Sequence, residues 1–220
     1  MKLIVWDFDG TLVDSRPLIE AGMRHGLQAL GLLDRPGLME EWLKYVGLPV
    51  EEGLDRTFGP LGLDKAEVLK AYRSFDWSSN EHLIQPFPGM TDLILELRGR
   101  GQKMAVATSK RTIPLKRQMA LFGWDGCFDP LITPDQVSHG KPHPESLELC
   151  LSAHGLEPQE ALMIGDTPFD LEMARSAGVP SVAVGHGFYA QEALLPFGPR
   201  AYAPDVPSLR EILMAMSNVE

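Results

Sequence analysis

The chain has 220 residues, 44% of them apolar and 23% charged, and a formal net charge of −10. That length holds one good-sized core, or a core with a small inserted domain. A surface this acidic repels phosphate backbones and argues against a nucleic-acid partner, so any phosphate-bearing ligand needs a metal or placed cations. The cysteines are Cys127 and Cys150, in no paired pattern, which reads as two buried free thiols in a reducing compartment. The N-terminal apolar run is short and broken by Asp7, unlike a signal peptide, and no stretch has the length of a membrane span. The expectation is a soluble cytoplasmic protein with no membrane partner, either monomer or homodimer.

In chain order, Leu3 to Trp6 (LIVW) reads as a strand apolar on both faces, the parallel buried type. From Asp14 to Gln85 the pattern is helical, with no convincing strand. Ser15 and Pro17 mark a helix start, and Ile19, Met23, Leu27 and Leu30 then fall on one face. Leu38, Trp42, Tyr45 and Val46 form a second stripe, closed by Gly47 and Pro49. Val50, Leu54 and Phe58 form a third. Asp64 and Glu67 resemble a capping box that opens a fourth, with Val68, Leu69, Tyr72 and Phe75. Gln85-Pro86-Phe87-Pro88-Gly89 is a stiff breaker. A strand–helix alternation follows: helix Met90–Arg98, strand Lys103–Thr108, a helix near Leu115–Phe122, a strand at Leu131–Thr133, and a helix from Pro144 to His154. Then come strand Ala161–Gly165, a helix near Phe169–Ala177, strand Ser181–Val184 and a helix from Ser208 to Met216. The fold class expected is α/β: a doubly wound, mainly parallel Rossmann-like sheet with a small all-helical domain inserted after the first strand. Residues 1–14 and 86–220 make the core, and 15–85 the insert.

Ligands of open α/β sheets bind beyond the carboxyl ends of the strands. The first strand ends in Asp7-Phe8-Asp9-Gly10, the second in Thr108-Ser109-Lys110, and a later one in Gly165-Asp166-Thr167 with Asp170 one turn on. A loop between them carries Gly140-Lys141-Pro142. Alternation along an extended backbone puts Asp7 and Asp9 on one side and Phe8 on the other. Acids gathered this closely repel unless a cation sits among them. Oxygen ligands with room for water suit Mg²⁺.

DFDGT near the N-terminus, a hydrophobic strand ending in Thr-Ser, an isolated Lys followed by Pro, and GDTxxD together resemble the four-part signature of the haloacid dehalogenase superfamily of phosphohydrolases. The resemblance spans the chain, with the insert in the place of that family's helical cap. It implies that Asp7 is the nucleophile that becomes an aspartyl-phosphate, and that Asp9 is the general acid/base, protonated at the start of the cycle. It further implies that Thr108, Ser109 and Lys141 bind phosphate. Asp7, the backbone of Asp9 and Asp166 would hold Mg²⁺, and Asp170 would orient Asp166 or a metal-bound water.

The presence of Asp9 disfavours the dehalogenase and phosphonate-cleaving branches, which lack that acid. Ile19, where the sugar-phosphate mutase branch carries a histidine, disfavours mutase chemistry. What remains resembles the phosphoglycolate phosphatase group, whose cap has a GxP turn (here Gly47-Leu48-Pro49). The expected substrate is a small-molecule phosphomonoester, phosphoglycolate-like. Pyrophosphate or a nucleoside monophosphate is the alternative, and behind these a mutase-like phosphotransferase or a phosphate-binding protein without turnover. Arg16, Lys44 and Arg56 are candidates to reach the substrate from the insert. Trp42 and Tyr45 read as packing. His139 and His143 flank Lys141, but the nearby prolines oppose the helix that would align them as metal ligands.

Overall fold

In a computed structural model that describes residues 1–217, β1 (Leu3–Trp6) lies at the centre of a six-stranded parallel sheet. The last three residues, 218–220, which the sequence reading assigns to the core, lie outside the described residues. After β1 the chain makes a two-residue strand, β2 (Val13–Asp14), and then four helices: α1 (Arg16–Ala29), α2 (Leu38–Leu43), α3 (Val50–Phe58) and α4 (Lys65–Arg73). It returns through β3 (Gln85–Pro86), which pairs antiparallel with β2. This small ribbon, absent from the sequence reading, ties together the outgoing and returning chain. A two-residue strand containing Pro86 carries no period-2 signal, so only the pairing reveals it.

The remainder alternates as α5 (Met90–Gly99), β4 (Lys103–Ala107), α6 (Thr112–Leu121), β5 (Leu131–Ile132), α7 (Glu145–His154), β6 (Ala161–Gly165), α8 (Pro168–Ser176) and β7 (Ser181–Val184). A one-turn helix α9 (Gln191–Leu194), strand β8 (Ala201–Ala203) and α10 (Val206–Ser217) complete it. Neither α9 nor β8 was expected from the sequence; both are too short for their periodicity to show. Strand order is β5-β4-β1-β6-β7-β8. The insert between β1 and β4 therefore does not disturb their pairing, which runs in register from Leu3–Lys103 to Trp6–Val106.

Alternation assigns the strand side chains to two cores. Ile4, Trp6, Val106 and Ile164 face α5 and α10, with Leu93, Leu97, Leu209 and Leu213 against them. Leu3, Val5, Ala105 and Met163 face α7 and α8, with Leu147, Leu151 and Met173. Every residue of β1 is fully buried, as expected of a parallel strand covered on both sides. The insert has its own core, built from Met23, Leu27, Trp42, Leu54, Phe58, Val68 and Tyr72, the stripes read from the sequence. Cys127 and Cys150 are free and buried. Among the described residues no helix is long and apolar enough to cross a membrane.

Candidate active site

The chain leaves β1 with its alternation intact. Ile4, Trp6 and Phe8 share one face, Phe8 edge-on to Trp124 with ring centres 6.4 Å apart. Asp7 takes the opposite side, its N–H donating to the Ile164 carbonyl of β6 (2.9 Å). Asp166 follows β6 directly, and Asp170 lies in the first turn of α8. A reciprocal capping box holds Asp170 there, the Thr167 hydroxyl donating to its Oδ2 at 2.8 Å. Asp7, Asp166 and Asp170 are all buried, and one carboxylate oxygen of each lies within 4.8 Å of the other two.

Lys141 is the cation beneath them. It is 2% exposed, and its Nζ donates to Asp7 (2.5 Å) and to Asp170 (2.6 Å). Lysine is seldom buried unless paired, and two carboxylates here satisfy that condition. The sequence reading has Asp170 orienting Asp166 or a metal-bound water. Its hydrogen bonds here are to Lys141 and Thr167. Asp166 is held by the Thr11 hydroxyl (2.9 Å) and by the Phe188 N–H (2.7 Å). Burial, followed by the neighbouring Asp7 and Asp170 charges, raises the Asp166 pKa well above the ordinary value. Burial also pushes Asp7 up, aided by Asp170 and Asp9 and opposed by Lys141. Three carboxyl groups share one ammonium, so ionising all of them leaves a buried excess of negative charge, which is what raises these pKa values.

The loop after β7, Gly185-His186-Gly187-Phe188, was missed as part of this site. A Cβ on Gly187 or on Gly10 would strike the Asp166 carboxylate, and Gly10 also has a positive φ of 85°. The two glycines let backbone close around Asp166. A Gly-x-Gly directly after a strand was the signal available.

Asp9 stands apart from the three acids. Its carboxylate pairs with Lys110 Nζ at 2.8 Å, with both side chains largely covered. The sequence reading gave Asp9 no partner. Lys110 follows Thr108 by two residues, in the bend just beyond β4. Thr108 is buried, its hydroxyl oxygen accepting from the Lys110 N–H (3.1 Å). Ser109 reaches the insert, its hydroxyl donating to the Gly47 carbonyl (2.6 Å).

Asp7, Asp9, Thr108, Ser109 and Lys110 line the floor of a cavity of about 880 Å³. Its other wall is the insert, and the Gly47-Leu48-Pro49 turn locks the two together. Besides the bond from Ser109, a Cβ on Gly47 would meet Thr167 and one on Gly140 would meet Pro49. Arg16, Lys44 and Arg56, expected to face the substrate, do not line this cavity. Arg16 lies over the Phe188 ring, 4.8 Å from its centre. Lys44, at the end of α2, and Arg56, in α3, pair in exposed positions with Glu41 (2.7 Å) and Glu52 (2.6 Å). The insert lines the cavity with Ile19, Trp42 and Tyr72 from its helices and with Tyr45, Phe75 and Trp77 from the turns that follow α2 and α4. Trp42 and Tyr72, whose rings are 5.5 Å apart, both pack the insert and line the cavity. His139 and His143 do come together, with ring centres 4.6 Å apart and Glu145 beside them. Glu145 is taken up by the N–H groups of Ser138 (2.9 Å) and His139 (2.8 Å), which shape the loop carrying Lys141.

The sequence profile of the family described as "Haloacid dehalogenase-like hydrolase" matches residues 4–184. The chain belongs to that family. Among haloacid dehalogenase-like hydrolases, the pyrophosphatase PpaX of Bacillus velezensis is 31% identical over 205 residues, covering 92% of this chain and 89% of that protein. The pyrophosphatase PpaX of Halalkalibacterium halodurans is 27% identical over 97% of each chain. A solved haloacid dehalogenase-like hydrolase from Streptococcus pneumoniae superposes with a TM-score of 0.82 at 27% identity, covering 98% of both chains. A predicted phosphoglycolate phosphatase from Haemophilus somnus shares the fold, with a TM-score of 0.83 at 24% identity over 98% of both chains.

Proposed function

We propose that this hydrolase cleaves small-molecule phosphomonoesters through an aspartyl-phosphate on Asp7. The observation that carries the reading is the single rim where Asp7, Asp9 and Thr108 open onto the cavity while Lys141 and Asp166 sit buried against Asp7. The Asp7 carboxylate attacks phosphorus as the bond from phosphorus to the leaving oxygen breaks, and Asp9 delivers a proton to that oxygen. In the second half Asp9 takes a proton from water, the water oxygen attacks phosphorus, and Asp7 is released with inorganic phosphate. Lys141 balances the charge on Asp7 and on the phosphoryl oxygens, and Thr108 and the Ser109 N–H orient the phosphoryl group. Lys110 pairs with the carboxylate that Asp9 becomes once the neutral acid has given its proton to the leaving oxygen, the form that then takes a proton from water.

The donor set fits Mg²⁺. All donors are oxygens, they converge within one carboxylate cluster, and the buried negative excess is what a divalent cation cancels. Asp7, Asp166 and the Asp9 backbone would hold it, and it would supply charge neutralisation at the phosphoryl oxygens. Residues 15–85 act in this reading as a cap over a core of 1–14 and 86–220. The chain crosses between the two parts at the β2–β3 ribbon, which is where the cap would pivot. The leaving group separates phosphoglycolate, pyrophosphate and a nucleoside monophosphate, and the cavity walls above Asp9 select it.

The test is phosphate release from a panel of phosphate esters with and without Mg²⁺, together with acid-quench trapping of a phosphorylated protein. Phosphate release that needs Mg²⁺, with label on Asp7, is expected. An Asp7→Asn variant that hydrolyses at the parent rate would end the covalent reading.

A further inference from the structure

The four cations that line the cavity, among the described residues, are each already held by an acid. Lys110 pairs with Asp9 (2.8 Å), Arg111 with Asp135 (3.2 Å), Arg117 with Glu81 (2.7 Å), and Arg73 with Glu51. Asp7 and Asp76 line it as well, so acids outnumber bases around the space. A leaving group with a second anionic charge, as in pyrophosphate or phosphoglycolate, would find no unengaged cation there and would meet surplus carboxylate.

The space itself is large and its insert wall is aromatic. At about 880 Å³ it falls in the range of roughly 300–1,000 Å³ that encloses drug-sized ligands, far more than a phosphate or a glycolate fills. Tyr72 lies between Trp42 and Trp77, tilted against both, with ring centres 5.5 Å and 4.9 Å away, and Phe75 stands edge-on to Trp77 at 5.0 Å.

We infer that the preferred substrate is a phosphomonoester whose leaving alcohol carries an uncharged aromatic ring and no second anionic group. This rests on the hydrolase reading above and narrows it to one substrate class. Phosphorus sits over Asp7, the leaving oxygen faces Asp9, and the ring lies along the Tyr72–Phe75–Trp77 wall.

The test compares kcat/KM, with Mg²⁺ present, for 2-phenylethyl phosphate and uridine 5′-monophosphate against 2-phosphoglycolate and pyrophosphate. Both aromatic esters and 2-phosphoglycolate leave as alcohols, so that comparison is free of leaving-group activation; pyrophosphate leaves as phosphate, which sets the harder standard for the inference. The better aromatic ester should exceed both anionic substrates by about tenfold or more, the scale of one well-filled apolar subsite. Equal or higher kcat/KM for either anionic substrate overturns the inference. Glu51→Gln, on an exposed ion pair, frees Arg73 and should raise the phosphoglycolate-to-phenylethyl ratio several-fold; an unmoved ratio removes the charge argument. Should no ester turn over, the hydrolase reading is what has failed. Binding then decides the substrate class without turnover: tryptophan fluorescence should report tighter binding of 3-phenylpropylphosphonate than of 3-phosphonopropionate, and the reverse order overturns it.

Discussion

Replacing Lys141 with methionine keeps the length of the side chain and removes the one buried ammonium. Asp7 and Asp170 lose donors at 2.5 Å and 2.6 Å, and three buried carboxylates are left facing one another. Breaking a buried pair by removing one partner costs roughly 3–5 kcal/mol, because the remaining charge is buried without compensation. For a chain of this size each kcal/mol moves the melting temperature by roughly 2–4 °C, so Lys141→Met should melt about 6–20 °C below the parent. Thermal unfolding followed by circular dichroism, in EDTA near pH 7.5, is the assay. The defect should shrink near pH 5, where Asp7, pushed up to about 7, and Asp166, also raised, take up protons and need no counter-charge. Lys141→Met combined with Asp170→Asn should recover part of the loss, since one of the orphaned charges is then gone. A Lys141→Met protein that melts within 2 °C of the parent near pH 7.5 would refute the view that these acids depend on the lysine.

Both Asp7 and Asp166 have folded-state pKa values above the ordinary 3.8, so between that value and their own titrations the folded protein binds more protons than the unfolded chain. Metal-free stability should therefore fall as pH rises through this window, up to about 7 for Asp7; urea midpoints in EDTA that rise from pH 5 to pH 7.5 contradict this. Mg²⁺ competes with the same protons, so the melting-temperature gain on adding Mg²⁺ should be larger near pH 7.5 than near pH 5. Lys110→Met should leave the fold intact but release Asp9 from its partner at 2.8 Å, lowering kcat by about 10–100-fold with a displaced pH–rate profile, a fraction of what general acid–base catalysis supplies. A proportional fall in kcat with an unchanged profile would show that Lys110 serves only structure. Gly187→Ala should push a Cβ into the Asp166 carboxylate and raise the Mg²⁺ concentration for half-maximal activity; an unaltered Mg²⁺ dependence counts against Asp166 as a ligand.

The sequence by itself determined the parallel sheet and the cluster at its rim. Runs such as LIVW and ALMIG are apolar on both faces, which only a doubly covered strand tolerates. Acids directly after such strands must emerge at the same sheet edge, whatever the loops do. That is why Asp7, Thr108 and Asp166 could be placed without coordinates, and why the four helices of the insert could be read from their stripes. Interactions between segments distant in sequence were not legible. The β2–β3 ribbon is a pairing across some seventy residues. Lys110 was passed over because its partner, Asp9, lies 101 residues away. The backbone donor that holds Asp166 comes from Phe188, in a loop with no charged residue to draw attention. Arg16, Lys44 and Arg56 were misplaced because a stripe gives the face a helix buries but not which neighbour its other faces meet. Tertiary packing turned the aromatic faces of the insert toward Asp9 and paired the cavity's cations with acids, because burial and charge neutralisation are satisfied only once the distant elements meet.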